Sequence, residues 1–385
     1  MSESAQPSRR RLWEVATLFL KLGTISFGGP AAHIALMETE TVRKRNWLSR
    51  EYFMDMLSAT NLVPGPNATE MAIHIGYLRA GWPGLIVGGA AFILPAALIS
   101  GALAWAYVTY GSLPQAHALF YGINPAIIAI IVAATYRLGK SAIKDWRLAL
   151  LAALCLAASL LGVDQVVILL AGGLAGVLVY ARPQAPSAAL LAWIAPGLPV
   201  ALPLVSLASD DRLVGLGLFF LKVGALLFGS GMVLFAFIQR DVVDQLGWLT
   251  QRQLVDAIAV GQMTPGPVLS SATFIGYLVS GWGGAVVATI AVFLPSFFIT
   301  ALMGRYLPKL RTWPLGQAFL KGINAAVVAL ILAIAIGLAR SAIPDALALL
   351  IAAASLLLLL RYKAETWWLV AGGAVIGLIR FLLLG

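Results

Sequence analysis

Two lysines and two aspartates occupy matching positions in the two halves of the chain, inside segments that are otherwise largely apolar. Lys21 and Lys222 are separated by the same offset as Asp55 and Asp256. A charge within an apolar membrane segment is costly, so it usually marks a functional site or a partnered charge. Lysines suit the binding of an anion, whereas the aspartates would pair with the lysines or carry a coupling proton. Alternatively, each lysine lies near a helix end and extends its side chain to the membrane surface, and each aspartate lies at the membrane edge.

Each half also contains a Pro-Gly-Pro sequence, at residues 64–66 and 265–267, which interrupts an apolar segment. Proline removes a backbone donor and clashes with the preceding turn, so this sequence must break a helix. Lipid cannot satisfy the freed backbone groups, and two such breaks in corresponding positions are typical of a transporter's binding site. Glycine-rich breaks at 28–30 and 229–231 follow the two lysines. Free N–H groups at the restarted helices would attract an anion.

The candidate substrate-binding residues are the two lysines and the residues at or beside the breaks. They are Lys21, Phe27, Gly28, Gly29, Asn61, Pro64, Gly65 and Asn67 in the first half, and Lys222, Gly229, Ser230, Gln262, Pro265 and Gly266 in the second. Amides and hydroxyls in these places either ligate an oxyanion or cap the restarted helix.

The candidate coupling residues are Asp55, Asp256 and the pair Glu70 and His74. Glu70 and His74 are spaced to share one helix face after the first break, and the second half lacks both. They would form either a proton relay present on one side only or a packed polar pair.

The elements that position these residues must be membrane helices. Of the 385 residues, 61% are hydrophobic and 11% charged, and no Asp, Glu, Lys or Arg occurs in 80–136 or 257–304. Each run accommodates two segments of the roughly 20 residues that cross a bilayer. The net charge of +10 comes from Lys and Arg in short loops, a distribution that orients membrane segments, so nucleic-acid binding is not expected. The sequence therefore predicts an all-α polytopic membrane protein.

An internal duplication organises the chain. Matching residues recur at a nearly constant offset from residue 19 to residue 373, which defines repeats at 1–182 and 212–385. The loop at 138–147 is basic while its counterpart at 338–347 is poor in basic residues, so the positive-inside rule predicts repeats of inverted topology. The linker at 183–211 would then supply one extra crossing.

The segment at 12–50 is basic at both ends and contains the first glycine break. We expect it to enter the membrane, turn at the break and return on the same side as a re-entrant hairpin. The single cysteine, Cys155, excludes an internal disulfide, and the three histidines lack the spacing of a metal site. Motifs of hydrolases and phosphate-binding loops are absent, so we expect neither an enzyme nor a cofactor.

Four sequence blocks resemble the chromate ion transporter family, in its two-domain, long-chain form. They are FLKLGTISFGGPAAHI at 19–34, NLVPGPNATEMAIHIGYLRAGWPG at 61–84, FLKVGALLFGSG at 220–231 and QMTPGPVLSSATFIGYLVSGWGG at 262–284. The resemblance implies a secondary transporter of the inner (plasma) membrane that exports chromate, with sulfate as its structural mimic. Asn61 departs from the family pattern, in which many members carry Gln at this place, as Gln262 does in the second copy.

The sequence therefore favours transport of a tetrahedral divalent oxyanion, chromate first, within the lipid bilayer, with a proton as candidate coupling ion. Transport of sulfate or another anion without a chromate role is the main alternative, and a non-transporting scaffold or membrane enzyme is the remote one. Whether the chain works alone or as a homodimer is left open.

Overall fold

The computed structural model describes residues 9–27, 29–61, 63–181, 211–311, 314–362 and 364–384. Within these ranges the regular structure is entirely helical, as the apolar composition predicts. The proposed extra crossing at 183–211 lies almost entirely outside the described residues, as does Gly28.

Seven α-helices form the first half. They are α1 (Arg9–Ile25), α2 (Pro30–Glu38), α3 (Arg50–Thr60), α4 (Asn67–Tyr110), α5 (Pro114–Ala142), α6 (Trp146–Leu160) and α7 (Gln165–Tyr180). A π-helical turn, Thr39–Lys44, continues α2.

The second half repeats this series in the same order. Its helices are α8 (Arg212–Leu226), α9 (Val233–Phe237), α10 (Gln251–Met263), α11 (Ser271–Arg311), α12 (Pro314–Ala342), α13 (Ala346–Arg361) and α14 (Thr366–Leu384). A π-helical turn, Ile238–Gln245, continues α9, so even this irregularity is duplicated.

Five of the described helices are long and apolar enough to cross a membrane, and three shorter helices are also apolar. The five segments are Asn67–Tyr110, Pro114–Ala142, Val268–Leu302, Pro314–Ala342 and Thr366–Leu383. Together with the helical content, they confirm an all-α, multi-pass membrane protein.

The two longest helices are bent into hairpins. Helix α4 has non-helical backbone angles at Ala80 and Gly81, and α11 has them at Ser280 and Gly281. Each helix therefore has a first arm before the bend and a second arm after it. Gly76 in the first arm of α4 packs directly against Gly84 in the second.

Both broken segments of the first half start and end on the same side of the molecule. The Arg79 guanidinium at the end of the first arm of α4 lies 2.5 Å from the Glu14 carboxylate in α1 and 4.9 Å from the Trp47 ring. Because Glu14 and Trp47 flank the first glycine break, the chain must leave this side, turn and return to it between them. The structure therefore has the hairpin shape predicted for residues 12–50, while its re-entry from one side of a membrane stays a prediction.

The halves are packed together through exchanged helices. Helix α5 packs along α14, with Gly122 against Gly373, and α7 packs along α12, with Gly172 against Gly322. Small residues let helix backbones approach closely, which is the usual packing of membrane helices. As a result, one hydrophobic core contains residues of both halves.

The second arms of α4 and α11 are equivalent in the duplication, yet they pack in opposite directions. Gly89 lies against Phe297, whereas Gly101, further along α4, lies against Trp282, which is earlier in α11. A pseudo-two-fold axis in the membrane plane produces this antiparallel arrangement of equivalent helices, so the contact supports the predicted inversion. The orientation of each half across a bilayer stays a prediction.

We expect cysteines at Ser141 and Ser341 to be labelled from opposite sides of the membrane. Both positions are exposed and equivalent in the duplication, each at the end of a helix, but only the first lies in a strongly basic segment. In a Cys155→Ala background, an impermeant maleimide should label Ser341→Cys in intact cells and Ser141→Cys only after permeabilisation. Labelling of both positions from the same side would contradict the inverted topology.

Candidate functional site

Two reciprocal hydrogen bonds join the four breaks in two pairs, each between the halves, and these two contacts form the centre of the candidate site. The backbone N–H of Gly65 donates to the carbonyl oxygen of Leu227 at 2.7 Å, and that of Gly266 donates to Ser26 at 2.9 Å. Ser26 and Leu227 are equivalent positions immediately before the glycine breaks. Each Pro-Gly-Pro turn therefore binds the glycine break of the other half, which satisfies backbone groups that lipid would leave unpaired.

The two central glycines have no room for a side chain. Gly65 has a φ of 146° and Gly266 a φ of 90°, a region that side-chain-bearing residues rarely adopt. A Cβ at Gly266 would lie 3.0 Å from the Ala96 Cβ and 3.1 Å from the carbonyl oxygen of Gly23. A Cβ at Gly65 would collide with the Glu70 carboxyl group. Glycine is therefore required for the halves to approach this closely.

Each of the two lysines has a carboxylate partner that the sequence analysis did not identify. Lys21 Nζ lies 3.1 Å from Glu40 Oε1, and Lys222 Nζ lies 2.6 Å from Asp241 Oδ2. Asp256, which could have paired with Lys222, is hydrogen-bonded to Tyr107 and Asn124 instead. Glu40 and Asp241 occupy equivalent places in the two π-helical turns, so the ion pair itself is duplicated.

The two ion pairs differ in net charge. Glu40 also accepts hydrogen bonds from Lys44 and Arg45, so three cations surround one carboxylate. Hydrogen bonds from Arg45 above all lower the pKa of Glu40 to about 2, which keeps it ionised at any physiological pH. Even so, the cluster in the first half retains an excess of positive charge. In the second half, the described contacts give Asp241 one cationic partner, Lys222, so this pair is neutral.

The remaining residues predicted at the breaks lie around this centre with different exposures. Asn67 donates to the side chain of Asn61, so the two amides bridge the first Pro-Gly-Pro turn. Gln262 Nε2 instead lies 3.8 Å from the Met232 sulfur. Phe27, Gly29, Asn61 and Gly229 are exposed or half-exposed, Pro64, Ser230 and Gln262 are half-buried, and Pro265 is buried.

The two aspartates occupy different environments despite their equivalent positions. Asp256 is buried and accepts hydrogen bonds from Tyr107 at 2.7 Å and from Asn124 at 3.0 Å, both in the first half. Asp256 is therefore enclosed by protein, while its depth in the membrane stays a prediction. Asp55 is only half-buried on α3. Asp256 thus connects α10 to helices of the other half.

Glu70 and His74 are both buried within the first arm of α4. Neither carboxyl oxygen of Glu70 has a hydrogen-bond partner among the described residues, and the hydroxyls of Thr69, Ser296 and Thr300 are likewise buried and unpaired. The described residues contain no group of three or more His, Cys, Asp and Glu side chains that could hold a metal ion. The residues at and after the first Pro-Gly-Pro break therefore offer amides, buried hydroxyls and one buried acid.

A family model described as "Chromate transporter" matches the chain twice, at residues 13–177 and again at residues 214–378. The chain belongs to the chromate transporter family. The starts and the ends of the two matches are separated by the same offset that relates Lys21 to Lys222 and Glu40 to Asp241. Each matched region contains the two helix breaks and the lysine–carboxylate pair of its own half.

Curated relatives extend over most of the chain. A "Chromate transport protein" of Cupriavidus metallidurans is 37% identical over 97% of this chain and 94% of its own length. A "Probable chromate transport protein" of Synechococcus elongatus is 35% identical over 87% of this chain and 86% of its own. A "Chromate transport protein" of Pseudomonas aeruginosa is 34% identical over 84% and 80%. No solved structure matches the chain.

Proposed function

We propose that this family member is a secondary transporter of the plasma membrane that moves a tetrahedral divalent oxyanion, chromate first, out of the cell. The names of the full-length relatives supply the substrate. The observation that carries the proposal is the reciprocal pair of hydrogen bonds that joins each Pro-Gly-Pro break of one half to the glycine break of the other. Broken helices that meet between two repeats are the usual site of substrate binding in secondary transporters.

A dianion that leaves water needs opposite charge and directed hydrogen-bond donors in exchange for its hydration. The cluster around Glu40 supplies the charge, because its three cations exceed its one carboxylate. Lys21 is the member of this cluster on α1, about two turns before the glycine break, and half of its side chain is exposed. We infer that Lys21 contacts the anion, and that Lys44 and Arg45 then hold Glu40.

Hydrogen-bond donors around the central turns would orient the oxyanion. The Asn61 and Asn67 amides and the N–H groups in the first turns of α2 and α4, after Pro30, lie beside the first-half breaks in the chain. Ser230 and Gln262 lie beside the second-half breaks. Helix N-termini with free N–H groups favour oxyanions. Asn61 has a shorter side chain than Gln262, which makes the two sides of this site unequal.

Conformational change would expose the centre to each side of the membrane in turn. The contacts that join the halves include Gly65 with Leu227, and Asp256 with Tyr107 and Asn124. Asp55, Asp256, Glu70 and His74 remain the candidates for coupling transport to a proton.

Counterflow in proteoliposomes tests the proposed function. Vesicles loaded with unlabelled chromate should accumulate labelled chromate transiently, and external sulfate should compete, because it has the same shape and charge. Transport of sulfate with no chromate counterflow would favour the alternative of another anion. Absence of counterflow for both anions, with folded protein present in the vesicles, would contradict the proposal.

A further inference from the structure

A buried acid lies at the contact between the two halves. Glu70 is fully buried in the first turn of α4, and its carboxyl group lies against Gly65, whose N–H binds Leu227 of the second half. The Ser296 hydroxyl is 3.2 Å from the point where a Gly65 Cβ would lie, and Thr300 follows one turn later in α11. Glu70 therefore lies between the first-half break and the second arm of α11.

The same place in the other half contains no acid. In the register that the repeats keep after the Pro-Gly-Pro turns, Glu70 corresponds to Ser270 and Thr300 corresponds to Ser100. The hydroxyls of Ser100 and Ser270 lie 3.3 Å apart, within hydrogen-bond distance. The duplication therefore provides a neutral reference for the site, in which two serines replace an acid and a threonine. The acid is an addition to one half of an otherwise similar contact.

No described hydrogen bond or ion pair stabilises the ionised form of Glu70. Neither oxygen has a hydrogen-bond partner among the described residues. Helix α11, which supplies Ser296 and Thr300, has no Asp, Glu, Lys, Arg or His in residues 271–302. His74 follows one turn later on α4. The titratable groups on the other elements around the breaks have partners of their own: His33 with Ser26, Lys21 with Glu40, Lys222 with Asp241, and Asp256 with Tyr107 and Asn124. Asp55 lies on α3. An ionised carboxylate without a partner in such a place costs several kcal/mol, so the neutral acid is the stable form.

We propose that Glu70 binds the coupling proton and that this proton travels together with the oxyanion. This inference rests on the proposed function. A dianion held beside Gly65 would repel an ionised Glu70, so anion binding and protonation favour each other, and by linkage the effect is reciprocal. Opening of the contact between Gly65 and Leu227 would admit water to Glu70 and let the proton leave. One proton moving with a dianion still leaves a net negative charge, which an inside-negative potential drives outward.

The proposal predicts a specific behaviour of Glu70→Gln, a neutral replacement of similar shape to the protonated acid. In proteoliposomes this variant should keep counterflow of labelled sulfate or chromate at equal pH on both sides. It should lose the stimulation that an inward proton gradient gives to the wild type, about tenfold in the limiting accumulation ratio per pH unit for one coupled proton. Glu51→Gln, which removes an exposed carboxylate on α3, is the matched control and should behave as wild type.

Sulfate is the better anion for binding measurements, because it stays a dianion at neutral and alkaline pH. Wild-type sulfate affinity should fall as the pH rises, whereas that of Glu70→Gln should be independent of pH. Gradient stimulation retained in Glu70→Gln, loss of sulfate binding by this variant, or wild-type transport that depends on Na⁺ and ignores the proton gradient would each overturn the proposal.

An infrared measurement separates this inference from the proposed function. At neutral pH, the wild-type protein should show a protonated-carboxyl stretch that Glu70→Gln lacks, whichever anion is transported. If wild-type vesicles show no counterflow, the proposed function fails, and the infrared difference still decides the protonation of Glu70. Identical carboxyl spectra of wild type and Glu70→Gln would contradict a protonated Glu70.

Discussion

Lys222→Met should destabilise the protein far more than Lys21→Met, although the two lysines are equivalent in the duplication. The Asp241 side chain is 4% exposed and its described ion pair is with Lys222, so the variant leaves a carboxylate buried without its partner. Breaking a buried ion pair in this way costs about 3–5 kcal/mol. Glu40, by contrast, keeps Lys44 and Arg45 when Lys21 is replaced. Thermal unfolding of the two purified variants in detergent measures the difference.

The double variant Lys222→Met with Asp241→Asn separates a structural ion pair from a substrate-binding lysine. Removal of both charges eliminates the uncompensated carboxylate, so the unfolding temperature should return most of the way to that of wild type. If the single variant unfolds at the same temperature as Lys21→Met, the Asp241 pair is not a buried structural contact. A double variant no more stable than the single one would also contradict the explanation.

Gly266→Ala should abolish chromate transport. The new methyl group would require a positive φ of 90° and would press on Ala96 and on the Gly23 backbone, neither of which can rotate away. This strain acts on the Pro-Gly-Pro turn of the second half, whose N–H binds Ser26. The turn would therefore move away from the glycine break of the first half. Flux in vesicles that contain equal amounts of folded protein measures the loss.

Gly247→Ala is the matched control for this substitution. Gly247 also has a positive φ, 60°, but nothing lies within 4 Å of the position of its Cβ. Its equivalent in the first half, Asn46, carries a side chain at a φ of 50°, so this turn accepts a larger residue. Gly247→Ala should therefore transport as wild type does. Wild-type flux in Gly266→Ala would mean that close approach of the breaks is unnecessary for transport.

Much of this architecture was predictable because it depends on local chemistry and on an offset in the sequence. Pro-Gly-Pro must break a helix wherever it occurs, and a second copy at a fixed offset indicates a second equivalent break. The meeting of the breaks follows from the need to satisfy their backbone groups, which the bonds of Gly65 and Gly266 do. The hairpin at residues 12–50 was indicated by basic residues at both ends.

The partners of the lysines were harder to predict. Glu40 and Asp241 lie in polar stretches, TETVRK and IQRDVVDQ, which resemble loops and not helix interiors. The constant offset was nevertheless a signal, since these two acids are separated by the same distance in the chain as the two lysines. A search for symmetric acids outside the apolar segments would have found them.

Contacts between the halves had no signal in the sequence pattern. Tyr107 and Asp256 lie far apart in the chain, and helix periodicity does not specify which helices exchange. The unpaired acid illustrates the same limit. The position of Glu70 after the break was evident, but its burial against Ser296 depends on how α11 packs.

Binding of chromate to Lys21→Met shows whether an oxyanion binds at the breaks with help from the excess positive charge around Glu40. A hydrogen bond to a charged group contributes about 1.5–3 kcal/mol, so the variant should bind chromate at least about tenfold more weakly, and Lys21→Arg should retain part of the affinity. The readout is the rise in unfolding temperature with chromate concentration, compared with Lys140→Met, which removes an exposed lysine at the end of α5. Chromate should stabilise Lys21→Met less than it stabilises the wild type and Lys140→Met, whereas wild-type chromate affinity in Lys21→Met would contradict an oxyanion site that uses this lysine.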